Sequence, residues 1–66
     1  MDYTNSRIRE LIAEHIHNER DRQLLSRRLI DGITFEKLAE EFEISVSQVK
    51  RIIWKGSETI FRHLKN

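Results

Sequence analysis

Two predicted helix starts lie eleven residues apart in the second half of the chain, and they limit its fold more than any other feature. Thr34 is a good N-cap, and Ile33 and Leu38 flank it with the spacing of a hydrophobic staple. Ser45 begins an S-x-x-Q capping box with Gln48, and a second staple surrounds it. Two helices must therefore begin close together, with little chain between them.

The turn between these helices contains only Glu43 and Ile44, because the apolar residues of the first helix end at Phe42. A connection this short makes the helices cross steeply, as in a helix-turn-helix. Glu43 stands at the turn position that usually carries Gly because it needs positive φ, and left-handed strain there costs about 1 kcal/mol. The positions that must point inward in this geometry all hold apolar residues, namely Leu38, Phe42, Ile44, Val49 and Ile52. The position where the helices cross must be small, and it holds Ala39.

The rest of the chain is also predicted to be helical. It has no Pro, no sustained period-two run of β-branched residues, and apolar residues at helical spacing throughout. We expect a single all-α domain over residues 1–66, a four-helix domain with a C-terminal helix-turn-helix and a long fourth helix. The predicted helices are Ser6 to Ile16, Asn18 to Asp31–Gly32, Thr34 to Phe42, and Ser45 to about Leu64. Gly56 inside the fourth helix costs about 1 kcal/mol relative to Ala, so we expect a close helix-helix contact there.

Composition excludes several classes of protein. There is no Cys, so neither a disulfide nor a thiolate metal site can stabilise the fold. Apolar runs reach only two or three residues, as at residues 52–54, which argues against a transmembrane helix. The N-terminal segment Met1–Asn5 has no targeting character. We therefore expect a cytoplasmic protein with no membrane contact.

Charge is unevenly distributed, although the net charge is only +1. Residues 34–43 contain four acids and one base, whereas residues 44–66 contain five bases and one acid. This contrast indicates either a directed electrostatic face or an ordinary solvated surface with balanced charges. On the outer side of the fourth helix, polar and basic residues occupy the first turns, namely Ser47, Gln48, Arg51 and Lys55, with Lys50 at one margin. Such a face suits a helix that reads the major groove of DNA, since Arg and Lys pair with guanine and Gln with adenine.

The same residues resemble a known family. The segment GITFEKLAEEFEIS, from Gly32 to Ser45, resembles the helix-turn-helix block of region four in sigma-70 family factors. Gln48 to Arg51 is similar to the stretch that follows this block in the extracytoplasmic-function branch, and Arg20 to Ile30 to the segment before it. The resemblance covers Asn18 to Leu64. It implies a domain that reads the minus-thirty-five promoter element with a long recognition helix and docks on RNA polymerase.

The resemblance and the outer face together predict the DNA-binding residues Thr34, Ser45, Val46, Ser47, Gln48, Lys50, Arg51 and Lys55. Val46 stands where Arg is usual in primary factors, and Ser47 where Glu is usual, so we do not expect recognition of the consensus promoter. The region that melts the promoter is absent from these 66 residues. We therefore expect a stand-alone regulator from a bacterium, a phage or a mobile element.

Two functions remain open at this point. The first is sequence-selective binding of double-stranded DNA in transcription regulation. The alternative is a protein-interaction module that docks on RNA polymerase or on a phage or mobile-element partner, which the small net charge favours. No phosphate-binding Gly loop, nucleophile motif or desolvated acid pair is evident, so we expect neither enzymatic activity nor a cofactor.

Two further groups of residues have competing interpretations. His15 and His17 are two residues apart on a helix and His63 is distant, so we expect no metal site. Trp54 and Phe61 lie seven residues apart on the fourth helix. We expect Trp54 to be buried against the first helix, near Ile8 or Ile12, and the alternative is an exposed aromatic patch for a partner.

Overall fold

The computed structural model describes residues 5–64, which form four α-helices and no strand. The helices are α1 (Asn5–His15), α2 (Glu19–Leu29), α3 (Phe35–Phe42) and α4 (Val46–Leu64). The predicted all-α architecture is confirmed, and α4 is the long helix that was expected. Residues 1–4 and 65–66 lie outside the described residues. The prediction for the N-terminal segment Met1–Asn5 therefore concerns mostly residues that are not described, and Lys65, one of the five bases counted above, is also among them. Among residues 5–64, no helix has the length and apolar character needed to cross a bilayer.

The helix ends are set by local hydrogen bonds that the sequence predicts. The Asn18 side-chain oxygen accepts a hydrogen bond from the Asp21 N–H at 3.2 Å, and Thr34 Oγ1 accepts one from the Lys37 N–H at 3.2 Å. After α2, Gly32 lies at φ +70°, a left-handed conformation that Gly adopts at little cost. These contacts lie within a few residues along the chain, so they define the helix ends without help from distant parts of the molecule.

The fourth helix is the centre of the packing, because α4 contacts each of the other three helices and does so more extensively than α2, the other helix that contacts all three. Each fully buried aliphatic side chain contributes about 1.5–3 kcal/mol, so one shared apolar cluster is the main stabilising element of a chain without disulfides. The cluster draws on all four helices: Ile8, Leu11, Ile12, Leu24, Leu25, Leu38, Val49, Ile53, Ile60 and Leu64.

The contact between α2 and α4 is close enough to require a glycine. A Cβ atom added at Gly56 would lie 2.5 Å from Leu25 Cδ1 and 2.8 Å from Leu25 Cδ2. Both distances are shorter than van der Waals contact between carbon atoms, which is about 3.5–4.0 Å. The close helix-helix contact predicted at Gly56 is therefore confirmed.

The end of α1 is joined to its neighbours by polar and aromatic contacts. The Arg22 guanidinium of α2 donates hydrogen bonds to the carbonyls of Ile16 and Ala13, the second at 2.9 Å. The rings of His15 and His63 are stacked, with their centroids 3.7 Å apart. No group of three or more His, Cys, Asp or Glu side chains in residues 5–64 is arranged to hold a metal ion.

The prediction that Trp54 is buried against α1 is wrong. Trp54 is 62% exposed and Phe61 is 44% exposed. The reason is the rotation of α4 about its own axis. At 100° per residue, residues two positions apart on a helix, such as Trp54 and Gly56, point about 160° apart, and Gly56 faces α2. Trp54 must therefore point to solvent, on the side away from the core.

Candidate nucleic-acid interface

The turn between α3 and α4 has the backbone conformation that the sequence predicts. Glu43 lies at φ 56° and ψ 44°, in the left-handed region, and it is the only non-glycine residue with positive φ among those described. Its N–H donates to the Ala39 carbonyl, and the Ile44 N–H donates to the same oxygen at 3.1 Å. The Glu43 side chain is exposed, so the turn reverses the chain without burying a charge.

The first turn of α4 is held by the predicted capping box. The Gln48 N–H donates to Ser45 Oγ at 3.1 Å, and the Ser45 N–H donates to Gln48 Oε1 at 3.1 Å. The box uses the side-chain carbonyl of Gln48, whereas bidentate pairing with adenine needs both ends of that amide. While the box is intact, Gln48 can offer a base only its amide NH₂ group.

Beyond the cap, the outer face of α4 carries the predicted binding residues. Ser47, Arg51 and Lys55 are exposed and Lys50 is half-buried, while Val49 on the opposite side is in the core. At about 100° per residue, Ser47 and Arg51 lie along the midline of this face. Lys50 lies on one flank of the midline and Lys55 on the other. The remaining predicted residues lie at the helix starts: Thr34 caps α3, Ser45 caps α4, and half-buried Val46 is the first residue of α4.

On the Lys50 flank, the fold adds residues that the sequence pattern did not indicate. The Arg28 guanidinium lies 4.3 Å from the centroid of the Phe35 ring, and Lys50 Nζ lies 6.0 Å from the same centroid. Arg28 also donates to the Ile33 carbonyl at 3.0 Å, which orients its side chain. These distances are those of cation–π contacts. Helical periodicity contains no signal for this cluster, because Arg28 reaches it only through the packing of α2 beside α3.

On the Lys55 flank, an open cleft of about 470 Å³ separates α4 from the corner between α1 and α2. Arg51 and Lys55 line its α4 side, and His15 and His17 line its α1 side, with Asp21 as the only acid in the lining. Two basic side chains of α4 and two imidazole rings from the corner between α1 and α2 thus lie beside the outer face of α4.

The acidic residues of α3 are not part of this surface. Arg27 of α2 makes a bidentate ion pair with Glu41, in which Nε lies 3.2 Å from Oε1 and a second bond joins Nη2 to Oε2. The hydrogen bond that Arg27 donates to Glu41, together with the negative charge of Glu41, raises the pKa of Arg27 above its usual value. Glu36 and Glu40 are exposed. The acidic residues of α3 therefore either attach α3 to α2 or face solvent, whereas basic residues lie on both flanks of the outer face of α4.

Comparison with known families agrees with this architecture. A family model described as "Sigma-70, region 4" matches residues 18–61, which include α2, α3 and most of α4. Neither the search of curated proteins nor that of solved structures returned a match. Region 4 is a DNA-binding region of sigma factors, so the general role of such a domain is DNA binding in transcription. With the match extending over well over half of its length, the chain belongs to the sigma-70 region 4 family.

Proposed function

We propose that this protein is a sequence-selective DNA-binding protein of transcriptional control, which inserts the first turns of α4 into the major groove of duplex DNA. The observation that carries this proposal is the outer face of α4. It begins at a capped helix start, it has Ser47 and Arg51 on its midline, and it has basic residues on both flanks. In this proposal the protein acts in the cytoplasm by binding, without a cofactor and without catalysis.

The arrangement of charges matches the shape of the groove. B-DNA has a major groove about 12 Å wide, bordered on each side by a phosphate backbone. Arg51 on the midline is placed to make a bidentate contact with guanine. Lys50 with Arg28 on one flank, and Lys55 on the other, are placed to meet the two backbones. Phosphate contacts of this kind set the register, while the midline residues give selectivity.

The helix starts complete the proposed interface. The N-termini of α3 and α4, at Thr34 and Ser45, present backbone N–H groups and the positive end of the helix dipole, which favour a phosphate. Val46 and Ser47 are small and uncharged, so in the groove they would offer an apolar contact and a hydroxyl. This chemistry supports a target that differs from the consensus promoter.

The test is duplex binding by variants of the outer face. A target is first selected from a random duplex pool, and binding isotherms are then measured at several salt concentrations for Lys50→Ala and Arg51→Ala. Loss of a phosphate contact lowers the salt slope by about one, and loss of a bidentate guanine contact costs about 1–3 kcal/mol and relaxes selectivity at one base pair. Glu40→Ala, on the exposed side of α3, is the control and should bind like the parent. If both basic variants bind as tightly as the parent, α4 is not the reading helix.

A second candidate function is docking on a protein such as RNA polymerase, with little contact to DNA. The exposed ring of Phe61 near the end of α4 and the small net charge favour it. Salt-dependent binding to duplex DNA by the isolated chain separates the two functions, because a pure docking module would show none.

A further inference from the structure

We propose that Trp54 is part of the reading face of α4, and that its indole ring packs on the 5-methyl group of a thymine in the major groove. This inference rests on the proposed function and adds to it a residue that selects for a particular base. Trp54 is the only tryptophan in the chain, and it is 62% exposed. The indole ring of Trp54, the largest aromatic ring of the chain, therefore contributes little to the packing of the folded domain.

The position of Trp54 on α4 places it over the groove. It is seven residues after Ser47 and three after Arg51, so all three side chains share the midline of the outer face to within about 40°. At about 1.5 Å per residue, Trp54 lies roughly 10 Å along the helix axis from Ser47. A helix crossing a groove about 12 Å wide keeps both ends of that segment within the groove. Trp54 is thus one helical turn beyond the residue proposed to contact guanine.

The surroundings of Trp54 favour DNA over a protein partner. Lys50, Arg51 and Lys55 lie within four residues of it, and the first acid of α4 is Glu58, one turn further on. Glu58 lies 3.4 Å from Arg62 in an ion pair. A protein interface needs a contiguous apolar core, but Glu58 lies between Trp54 and Phe61, the other exposed aromatic ring of α4. A single ring among cations suits a polyanion that carries isolated apolar groups.

The thymine methyl is such a group. It is the apolar feature that distinguishes the major-groove edge of an A·T pair, whose other groups are hydrogen-bond donors and acceptors. Replacing thymine by uracil deletes this methyl and preserves base pairing. At about 0.8 kcal/mol per buried methylene-sized group, one lost contact weakens binding about fourfold.

The experiment uses the duplex selected with the parent protein and replaces its thymines by deoxyuridine one at a time. We expect one or two positions to show about a fourfold loss with the parent and no loss with Trp54→Ala. Trp54→Ala itself should bind the unmodified duplex more weakly with an unchanged salt slope, because no cation is lost. Trp54→Phe should recover part of the affinity, and the emission of the parent should shift to the blue on binding.

Phe61→Ala is the matched control, since it removes an exposed aromatic ring from the same helix two turns further on. It should leave both the affinity and the uracil profile unchanged. Thermal denaturation of each variant verifies folding, which we expect to be retained because Trp54 lies outside the core.

Three results overturn the inference. If Trp54→Ala binds the duplex as tightly as the parent, with the same uracil profile, Trp54 does not read thymine, although DNA binding by α4 stands. If Trp54→Ala loses binding to RNA polymerase but not to DNA, the ring belongs to a protein interface. If the parent binds no duplex at all, the proposed function fails together with the inference.

Discussion

The substitution Gly56→Ala tests the contact that fixes α4 against α2. The new Cβ atom would lie 2.5 Å and 2.8 Å from the two methyl groups of Leu25 and 3.1 Å from Leu25 Cγ. Since both branches of the side chain are too close, rotation about its terminal bond cannot relieve the overlap. Leu25 is also fully buried, so moving its side chain disturbs the core packing around it. The two helices must separate slightly, or the core must repack.

Two opposing effects determine the expected stability. Inserting a methyl group into a packed core costs about 1–3 kcal/mol, while the better helix propensity of Ala recovers about 1 kcal/mol. The shortness of the contacts places the first effect in the upper part of its range, so we expect a net loss of about 1–2 kcal/mol. For a domain of this size each kcal/mol lowers the Tm by about 4–8 °C.

The assay is urea denaturation followed by circular dichroism, with two companion variants. Ala13→Gly, at an exposed position of α1, measures the Ala–Gly difference at a site without crowding. Leu25→Val combined with Gly56→Ala should lose less stability than the sum of the single changes, because the shorter side chain makes room for the new methyl group. If Gly56→Ala proves as stable as the parent or more stable, steric exclusion is not why a glycine occupies this position.

Two further predictions concern the turn and the cap between α3 and α4. Glu43→Gly should leave stability unchanged or raise it by up to about 1 kcal/mol in thermal denaturation, because Gly adopts the φ of 56° seen at Glu43 without left-handed strain. A clear loss would show that the Glu43 side chain makes a stabilising contact. Ser45→Ala should lower the free energy of unfolding by about 1 kcal/mol in urea, since the Gln48 N–H loses its acceptor. Ser47→Ala, at the exposed position two residues later, should stay within about 0.5 kcal/mol of the parent, and equal losses in both variants would contradict a specific role for the cap.

Much of the fold follows from interactions that the chain makes with itself over a few residues. The cap at Thr34, the capping box at Ser45 and the left-handed conformation of Glu43 each depend on neighbours within five positions. Helical periodicity likewise separates the inner face of α4, at Val49, from its polar outer face, at Arg51. Local sequence therefore predicts the helix-turn-helix and the candidate reading residues.

The interpretation of Trp54 failed because it depended on a quantity that is not local. Periodicity places Trp54 about 100° around the helix from the core residue Ile53, outside the apolar stripe, but it does not show how far α1 extends around α4. The rotation of α4 about its own axis is fixed by the close contact between Gly56 and Leu25, and this rotation leaves Trp54 facing solvent.

The sequence by itself thus determined the helices, the turn and the family, because caps, turn conformations and apolar periods act between neighbours in the chain. Only the tertiary structure decided what lies beside the reading helix. The approach of Arg28 and Lys50 to the Phe35 ring, and the stacking of His15 on His63, join residues from different helices. Such contacts depend on the distances and rotations at which the helices pack. These distances and rotations are determined jointly by side chains that are far apart in the chain.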